Sequence, residues 1–412
     1  MTQASVNSPN VILNIGTGKF FLHQTAESLD NLGLLAATIS GLTRLPRFFN
    51  IKGLNKNPKI ARLRNRISPL NPRVRQVQVL PGEVLWQIAT FASQSRYLAK
   101  TSKVLYFLSA TTFDMGARGA IKRISTPNTV YHFRAGFGGH SVQLAKSRGI
   151  PTICDHSISH PHFDWANRRS SVAQSTGFFN LERLILNDIK LADHVLVNSE
   201  FVAETFLICG DTRELRVITP PIDRKFAIEA KVNSQTQRTG IIFVGKCDLR
   251  KGIDFLTEII TGLPLDIPVR VVGTWTPGTM IYRRKLESFP NVQILPYMGY
   301  REIAELMRCS AIFLFPSRAE GSARVVGEAM HAGCVPFITK ESGLNIDLDA
   351  GFLINGMNLT ELTQAILRVL KDRKLQLEYS SSARHFINRL DDLYLPELLS
   401  LYADTLGKKG RQ

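Results

Sequence analysis

The chain has 412 residues, 44% of them hydrophobic, and a formal net charge of +17. That length suits two domains rather than one, and the basic excess predicts an acidic partner such as nucleotide phosphates, an anionic membrane or nucleic acid. No apolar run approaches the ~18 residues that span a bilayer, and Met1 to Asn10 lacks a basic-then-apolar leader, so neither a membrane span nor secretion is expected.

Val11 to Ile15 reads as a short buried strand, followed by Gly16-Thr17-Gly18-Lys19 and a helix from Phe20 to Leu32 closed by Gly33. This is a strand, Gly-rich turn, helix unit but not a P-loop. The first Gly of G-x4-G-K would fall at Leu13, and Phe20 replaces the magnesium-binding hydroxyl. From Gly41 to Leu80 the chain carries Arg44, Arg47, Lys52, Lys56, Lys59, Arg62, Arg64, Arg66, Arg73 and Arg75, with no Asp or Glu. Inside that run Asn57-Pro58 opens a short helix with Ile60, Leu63 and Ile67 on one face, ended by Ser68-Pro69. Such a basic amphipathic helix either docks on anionic lipid, at about 1 kcal/mol per basic residue, or is an ordinary helix with a solvated basic face.

Thr129 to Arg134 is the next strand, ending in Gly136-Phe-Gly-Gly139 and a helix from Ser141 to Ser147; Pro151 to Asp155 follows and ends at His156. His132 and Arg134 are placed to line a cleft. His156, His160 and His162, with Asp155 and Asp164, raise the question of a metal, but the irregular loop spacing makes plain histidines the default. Residues 226–239 are polar and aperiodic, a linker. A second α/β series then runs through Ile241 to Val244, Val269 to Val272, Val292 to Leu295, Ala311 to Phe315 and Val335 to Thr339. Alternating strands and helices with short connections predict parallel sheets, with ligand bound at the carboxyl ends of the strands. A last helical stretch spans Leu390 to Leu406. The five cysteines (Cys154, Cys209, Cys247, Cys309, Cys334) are scattered, which argues against a disulfide framework and for a reducing compartment.

The densest signal is Phe315-Pro-Ser-Arg-Ala-Glu320-Gly-Ser-Ala-Arg-Val-Val-Gly-Glu328-Ala-Met-His-Ala-Gly333. A buried strand runs into a Pro-Ser turn, then into a helix with Val325, Val326, Ala329 and Met330 on its apolar face. Two carboxylates are thereby set at a strand-to-helix junction, whose free N–H groups and helix dipole favour phosphate.

This segment resembles the signature of the family 4 retaining glycosyltransferases, which have the GT-B fold of two Rossmann-like domains. Val244-Gly245-Lys246 with Lys251-Gly252 is similar to that family's opening of the C-terminal domain, and Ala192 to Glu200 is similar to its strand ending in serine. The resemblance covers about residues 11–40 and 128–400. It implies an N-terminal acceptor-binding domain over 1–225, a nucleotide-sugar-binding domain over 240–385, and a C-terminal helix in 386–412 that crosses back. It implies catalytic roles for Glu320, Lys246, Lys251 and His156. Related enzymes usually carry Arg where Lys246 stands, and Arg250 is the neighbouring cation. Donor contacts fall on Glu328 for the ribose, on Gly321, Ser322, Ala323, Arg324 and Val325 for sugar and phosphates, on Gly245, Gly16 and Gly18, and on Tyr297 and Met298 near the base. Arg324 read alone is equally a surface arginine.

The expected protein is a cytoplasmic glycosyltransferase, at the inner membrane face if the basic stretch docks there. It transfers sugar from a nucleotide-sugar donor to an acceptor hydroxyl on a lipid-linked sugar or polysaccharide, with no metal or other cofactor. Two alternatives share the scaffold: a non-catalytic basic protein binding anionic lipid or nucleic acid, and a GT-B phosphorylase or epimerase. No nucleic-acid module is present in the sequence, so nucleic acid is not expected as a partner.

Overall fold

A computed structural model describes residues 8–17, 21–41, 74–93, 96–124, 126–170, 181–229 and 238–409. Gly18 and the basic positions Arg44 to Arg73, with the amphipathic stretch 58–67, lie outside the described residues.

The strands in chain order are β1 (Asn10–Gly16), β2 (Leu35–Ser40), β3 (Arg75–Gln78), β4 (Thr129–Arg134), β5 (Thr152–His156), β6 (Phe163–Asp164), β7 (Arg169–Ser170), β8 (His194–Val197) and β9 (Leu215–Val217), then β10 (Ile241–Val244), β11 (Val269–Val272), β12 (Val292–Leu295), β13 (Ile312–Phe315), β14 (Val335–Ile338) and β15 (Phe352–Leu353). Seven form one parallel sheet, ordered β3-β2-β1-β4-β5-β8-β9, and six form a second, ordered β12-β11-β10-β13-β14-β15. β6 and β7 make a small antiparallel hairpin. The apolar runs read as strands are the buried ones: every residue of β10, β13 and β14 is inside. Burial on both faces is what covering helices require of a parallel sheet. In each sheet the chain reverses its winding once, between β1 and β4 and between β10 and β13. A reversal point opens a crevice at the carboxyl ends of the strands.

Three elements differ from the reading. Residues 226–239 were expected as a linker, yet Arg224–Glu229 is helical and Phe226 is 1% exposed, packed in the C-terminal core beside Tyr300. One aromatic anchor converts a polar stretch into a docked turn. The last helix is far longer than Leu390 to Leu406, running Arg373–Lys409. Two helices, Leu80–Ala92 and Ala99–Arg123, appear where no element was read. The first of them turns its carboxylate, Glu83, inward, where it accepts from Thr17 Oγ1 at 2.6 Å. Among the described residues no helix is long and apolar enough to cross a membrane.

The long final helix ties both cores together. Ala383, Phe386 and Ile387 pack into the C-terminal core, and Tyr394, Leu398 and Tyr402 pack against Val11, Leu13 and Ile15 of β1. Tyr394 Oη lies 2.6 Å from Thr25 Oγ1, and Tyr402 Oη lies 2.8 Å from Nδ1 of the fully buried His132. His132, expected in a cleft, instead anchors this returning helix. Tyr402→Phe leaves that imidazole nitrogen without its partner, and urea melts should show a loss of about 1–3 kcal/mol; an unchanged midpoint would contradict the anchoring role.

Candidate active site

The site forms where β10 and β13 end side by side. After β13 the chain turns through Pro316-Ser317 and a loop, and only then enters the helix Arg324–His331. The loop is fixed from below by backbone bonds: the Glu320 amide donates to the Glu341 carbonyl and the Ala323 amide to the Ser342 carbonyl, both at 2.8 Å. Ala323 was expected to offer its amide to the donor; that amide is already committed. Arg324 and Val325, in the first helical turn, keep N–H groups that the helix itself cannot satisfy.

The loop after β10 supplies the cations. Asp248 caps the turn Leu249–Lys251, accepting the Lys251 amide at 3.0 Å on its side chain. Gly252 (φ 72°) then lies so close to Pro316 that an added Cβ would come within 2.0 Å of the Pro316 oxygen. Only glycine permits that approach, which delivers Lys251 to Glu320. Oε1 of Glu320 is 2.5 Å from Lys251 Nζ, 2.6 Å from Arg250 Nη1 and 3.0 Å from Ser317 Oγ. The Lys251 ammonium also stands 4.9 Å from the Phe315 ring centre. Burial pulls the Lys251 pKa below the usual lysine value, and the Glu320 carboxylate opposes that shift.

Lys246 is different. Its side chain is 59% exposed, 3.5 Å from Asp248. Arg250, not Lys246, holds the second position on Glu320, and its guanidinium also donates to the Ala319 carbonyl. The signal for Arg250 was its place beside Lys251. Ser317 was visible only as part of a Pro-Ser turn.

These groups surround one cavity of about 320 Å³. Glu320, Lys251, Lys246 and Gly245 form one end; Ser322, Ala323, Arg324 and Val325 form the helix-start wall. Glu328, one turn into the helix, lines it with Tyr297 and Met298, and Phe226, Tyr300 and Ile303 complete the apolar side without having been foreseen. Two nitrogens of Arg324, Nε and Nη2, are buried with no hydrogen-bond partner. Burial, with the Glu328 charge, pushes the Tyr300 hydroxyl up to about 12, so it stays protonated as a donor.

His156, Gly321 and Gly16 do not line this cavity. Gly321 is the contact between the two halves: its carbonyl accepts from Ser199 Oγ, and an added Cβ would fall 1.7 Å from the Ser157 oxygen. Gly16 (φ 72°) closes β1 against the Phe137 ring, with its amide directed to Asn14 Oδ1 at 3.3 Å. His156 is buried, edge-on to Phe206, its Nε2–H donating to the Ser159 carbonyl at 3.2 Å. His160 Nδ1 accepts the His162 amide at 3.1 Å. Among the described residues no three His, Cys, Asp or Glu side chains are grouped to hold a metal ion.

Burial lowers the His156 pKa to about 4, and that of His160 likewise to about 4. Unfolded histidine titrates near 6.5. The unfolded chain therefore takes up protons first, and the stability these neutral rings contribute is complete above about 6.5 and lost as pH falls toward 4. His156→Phe should melt with a shallower loss of stability across this window than wild type; identical slopes would show that His156 is not held neutral.

Comparison with known proteins bears on what such a cavity does. Residues 224–386 match the family described as Glycosyl transferases group 1. The lipopolysaccharide glucosyltransferase WaaG of Escherichia coli is 26% identical over 208 residues, 45% of this chain and 55% of that protein. An uncharacterized glycosyltransferase of Methanocaldococcus jannaschii is 26% identical over 154 residues, 35% of this chain and 42% of that protein. The chain thus spans about half the length of the curated relatives it matches. Among solved structures, HepE of Anabaena in complex with UDP superposes with a TM-score of 0.60 at 16% identity, covering 95% of this chain and 100% of that one. The structure of WaaG superposes at 0.58 and 15% identity, covering 96% and 99%. At such identities the likeness establishes the fold, which is GT-B: two parallel-sheet α/β domains. Similarity to the group 1 glycosyltransferases thus lies in residues 224–386, and the likeness over the whole chain is one of fold.

Proposed function

We propose that this chain is a retaining glycosyltransferase, similar to family 4, that moves a sugar from a nucleotide-sugar donor to an acceptor hydroxyl without a metal. The observation that carries the reading is the cavity at the β10–β13 crevice, where a helix N-terminus, Lys251, Lys246, Glu320 and Glu328 converge, with Arg250 bound to Glu320 from outside the lining. The Lys251–Arg250–Glu320 group keeps one net positive charge, and the first turn of the signature helix adds the positive end of its dipole. A diphosphate fits that charge. HepE has been solved with UDP, UDP-glucose, and UDP plus glucose, which supports a nucleoside diphosphate sugar as the donor class here.

In the proposed reaction the bond between the anomeric carbon and the β-phosphate oxygen breaks as the acceptor oxygen bonds to that carbon. The electron pair leaves with the nucleoside diphosphate, and the acceptor proton is released. Lys251 and Arg250 stabilise the charge growing on the leaving oxygen, already in place before the reaction. Glu320 orients both cations and faces the donor sugar. Glu328 accepts from the ribose hydroxyls, and the Tyr297–Met298 wall meets the base. Residues 1–225 bind the acceptor, and a lipid-linked sugar or polysaccharide at the inner membrane face is the acceptor class proposed.

The two ends of the cavity should separate kinetically. Glu328→Ala, which removes a ground-state contact, should weaken donor binding by about 1–3 kcal/mol in calorimetry. Lys251→Ala should lower kcat far more than donor affinity, because its charge matters most in the transition state. Wild-type turnover should persist in EDTA. Unchanged donor affinity in Glu328→Ala together with near-normal turnover in Lys251→Ala would remove the proposed site.

A further inference from the structure

The helix Leu80–Ala92 is apolar on two sides: Trp86 packs inward against Tyr106 and Phe137, and a second apolar row faces water. Its inner side is Gly82, Glu83, Ala89 and Ala92, packed on the helix Ala99–Arg123, with Ser109 Oγ donating to the Gly82 carbonyl. Its outer side is Leu80, Val84, Ile88 and Phe91, spaced along one face, with Phe91 75% exposed and Val84 and Ile88 about half exposed. Tyr97, 97% exposed, and Leu98 extend the stripe beyond the helix end. An aliphatic and aromatic row of this kind facing water marks an interaction surface.

Charge identifies the partner. Exposed Lys100 and Lys103 follow directly on the stripe. Over residues 41–113 the sequence holds the ten Lys and Arg from 41 to 80, then Arg96, Lys100 and Lys103, against a single acid, Glu83, whose carboxylate is buried on Thr17 and Gln87. A bulky apolar row followed along the chain by the exposed Lys100 and Lys103, in a sequence so rich in cations, matches lipid tails with anionic headgroups; nucleic acid would match the cations but not the row. Because Glu83 holds Thr17, just past the carboxyl end of β1, the helix starts at the rim where the strands of the first sheet open.

We propose that the Leu80–Ala92 helix inserts its Leu80, Val84, Ile88 and Phe91 stripe into the surface of an anionic bilayer, with Tyr97 at the interface and Lys100 and Lys103 on the headgroups. The docked protein lies with the carboxyl-end rim of its first sheet toward the membrane. This surface is independent of the sugar-transfer reading, since vesicle binding is measured without a donor.

Co-sedimentation of the full chain with phosphatidylcholine vesicles, with and without phosphatidylglycerol, tests it. Wild type should bind the mixed vesicles, bind pure phosphatidylcholine weakly, and lose affinity as salt shortens screening from ~10 Å to ~3 Å. Val84→Ser, Ile88→Ser and Phe91→Ser combined should reduce partitioning at least about tenfold, since each large apolar side chain contributes more than that when buried, with an unchanged melting midpoint. A full chain carrying Phe91→Trp keeps the stripe intact, so it serves even if the triple variant misfolds: brominated lipid should quench its added fluorescence relative to wild type. The proposal is overturned if wild type ignores mixed vesicles at low salt, if the folded triple variant binds as tightly as wild type, or if brominated lipid quenches Phe91→Trp no more than wild type. It is equally overturned if wild type self-associates and the triple variant disperses it, which would make the stripe a protein interface.

Discussion

The cavity depends on one carboxylate held by two cations. Glu320 is reached by Lys251 at 2.5 Å and Arg250 at 2.6 Å, both from the loop after β10, while Glu320 itself belongs to the loop after β13. Nothing in a parallel sheet alone would fix one of these loops against the other. The ion pair does so, and the glycine at 252 makes the approach sterically possible. Partly buried charges this close attract more strongly than surface pairs, and a pair with each partner's remaining donors satisfied keeps that gain. Ser317 and the Ala319 carbonyl supply those remaining partners. A site arranged in advance in this way needs little reorganisation when an anion enters.

A second set of contacts sets how the two halves face each other. Ser199, at the start of the helix Glu200–Ile208, donates to Gly321, and the Gly321 backbone rests against Ser157. Arg168 reaches across to Glu341, and Lys340 reaches back to Glu204 at 3.3 Å, with Glu204 also 3.8 Å from Arg168 on its own side. The Glu320 amide hangs from the Glu341 carbonyl. The loop that carries the carboxylate is therefore also the loop that touches the other half. His156 takes part from the far side: it is buried behind Ser157, not in the cavity, and supports the segment that meets Gly321.

Much of this was legible in the sequence, and the exceptions have physical reasons. Strands such as Ile241–Val244 and Val335–Ile338 are continuous apolar runs bounded by Gly and Pro, and they stand where read. The 315–333 segment showed its strand, turn and helix, and Glu320, Arg324 and Glu328 all reach the cavity, whereas Gly321 is taken up by the contact between the halves. The helix Leu80–Ala92 was not legible, because it is apolar on both sides, with Trp86 inward and Leu80, Val84, Ile88 and Phe91 outward, and its one acid is buried, so no single apolar face marks it. The pairing of Phe226 with Tyr300 was not legible either, because they lie 74 residues apart and only the fold brings them together at 5.9 Å. Lys246 lines the cavity as read, whereas the pairing of Arg250 with Glu320 was not legible, since spacing along a loop does not reveal which cation reaches a carboxylate on another loop. His132 looked like a cleft residue because it ends a strand, but a helix from 270 residues away covers it.

The central claim is that the β10–β13 crevice is a diphosphate site. A crystal structure of the wild-type chain with a nucleoside diphosphate, taken from UDP, GDP and ADP by whichever raises the melting midpoint most, tests it directly. The account predicts the diphosphate between the Arg324–Val325 amides and the Lys251–Arg250 pair, with the ribose against Glu328. Nucleotide bound elsewhere, for example in the cavity of about 470 Å³ beside Asp114 and Arg183 in the first half, with the crevice empty, would contradict it.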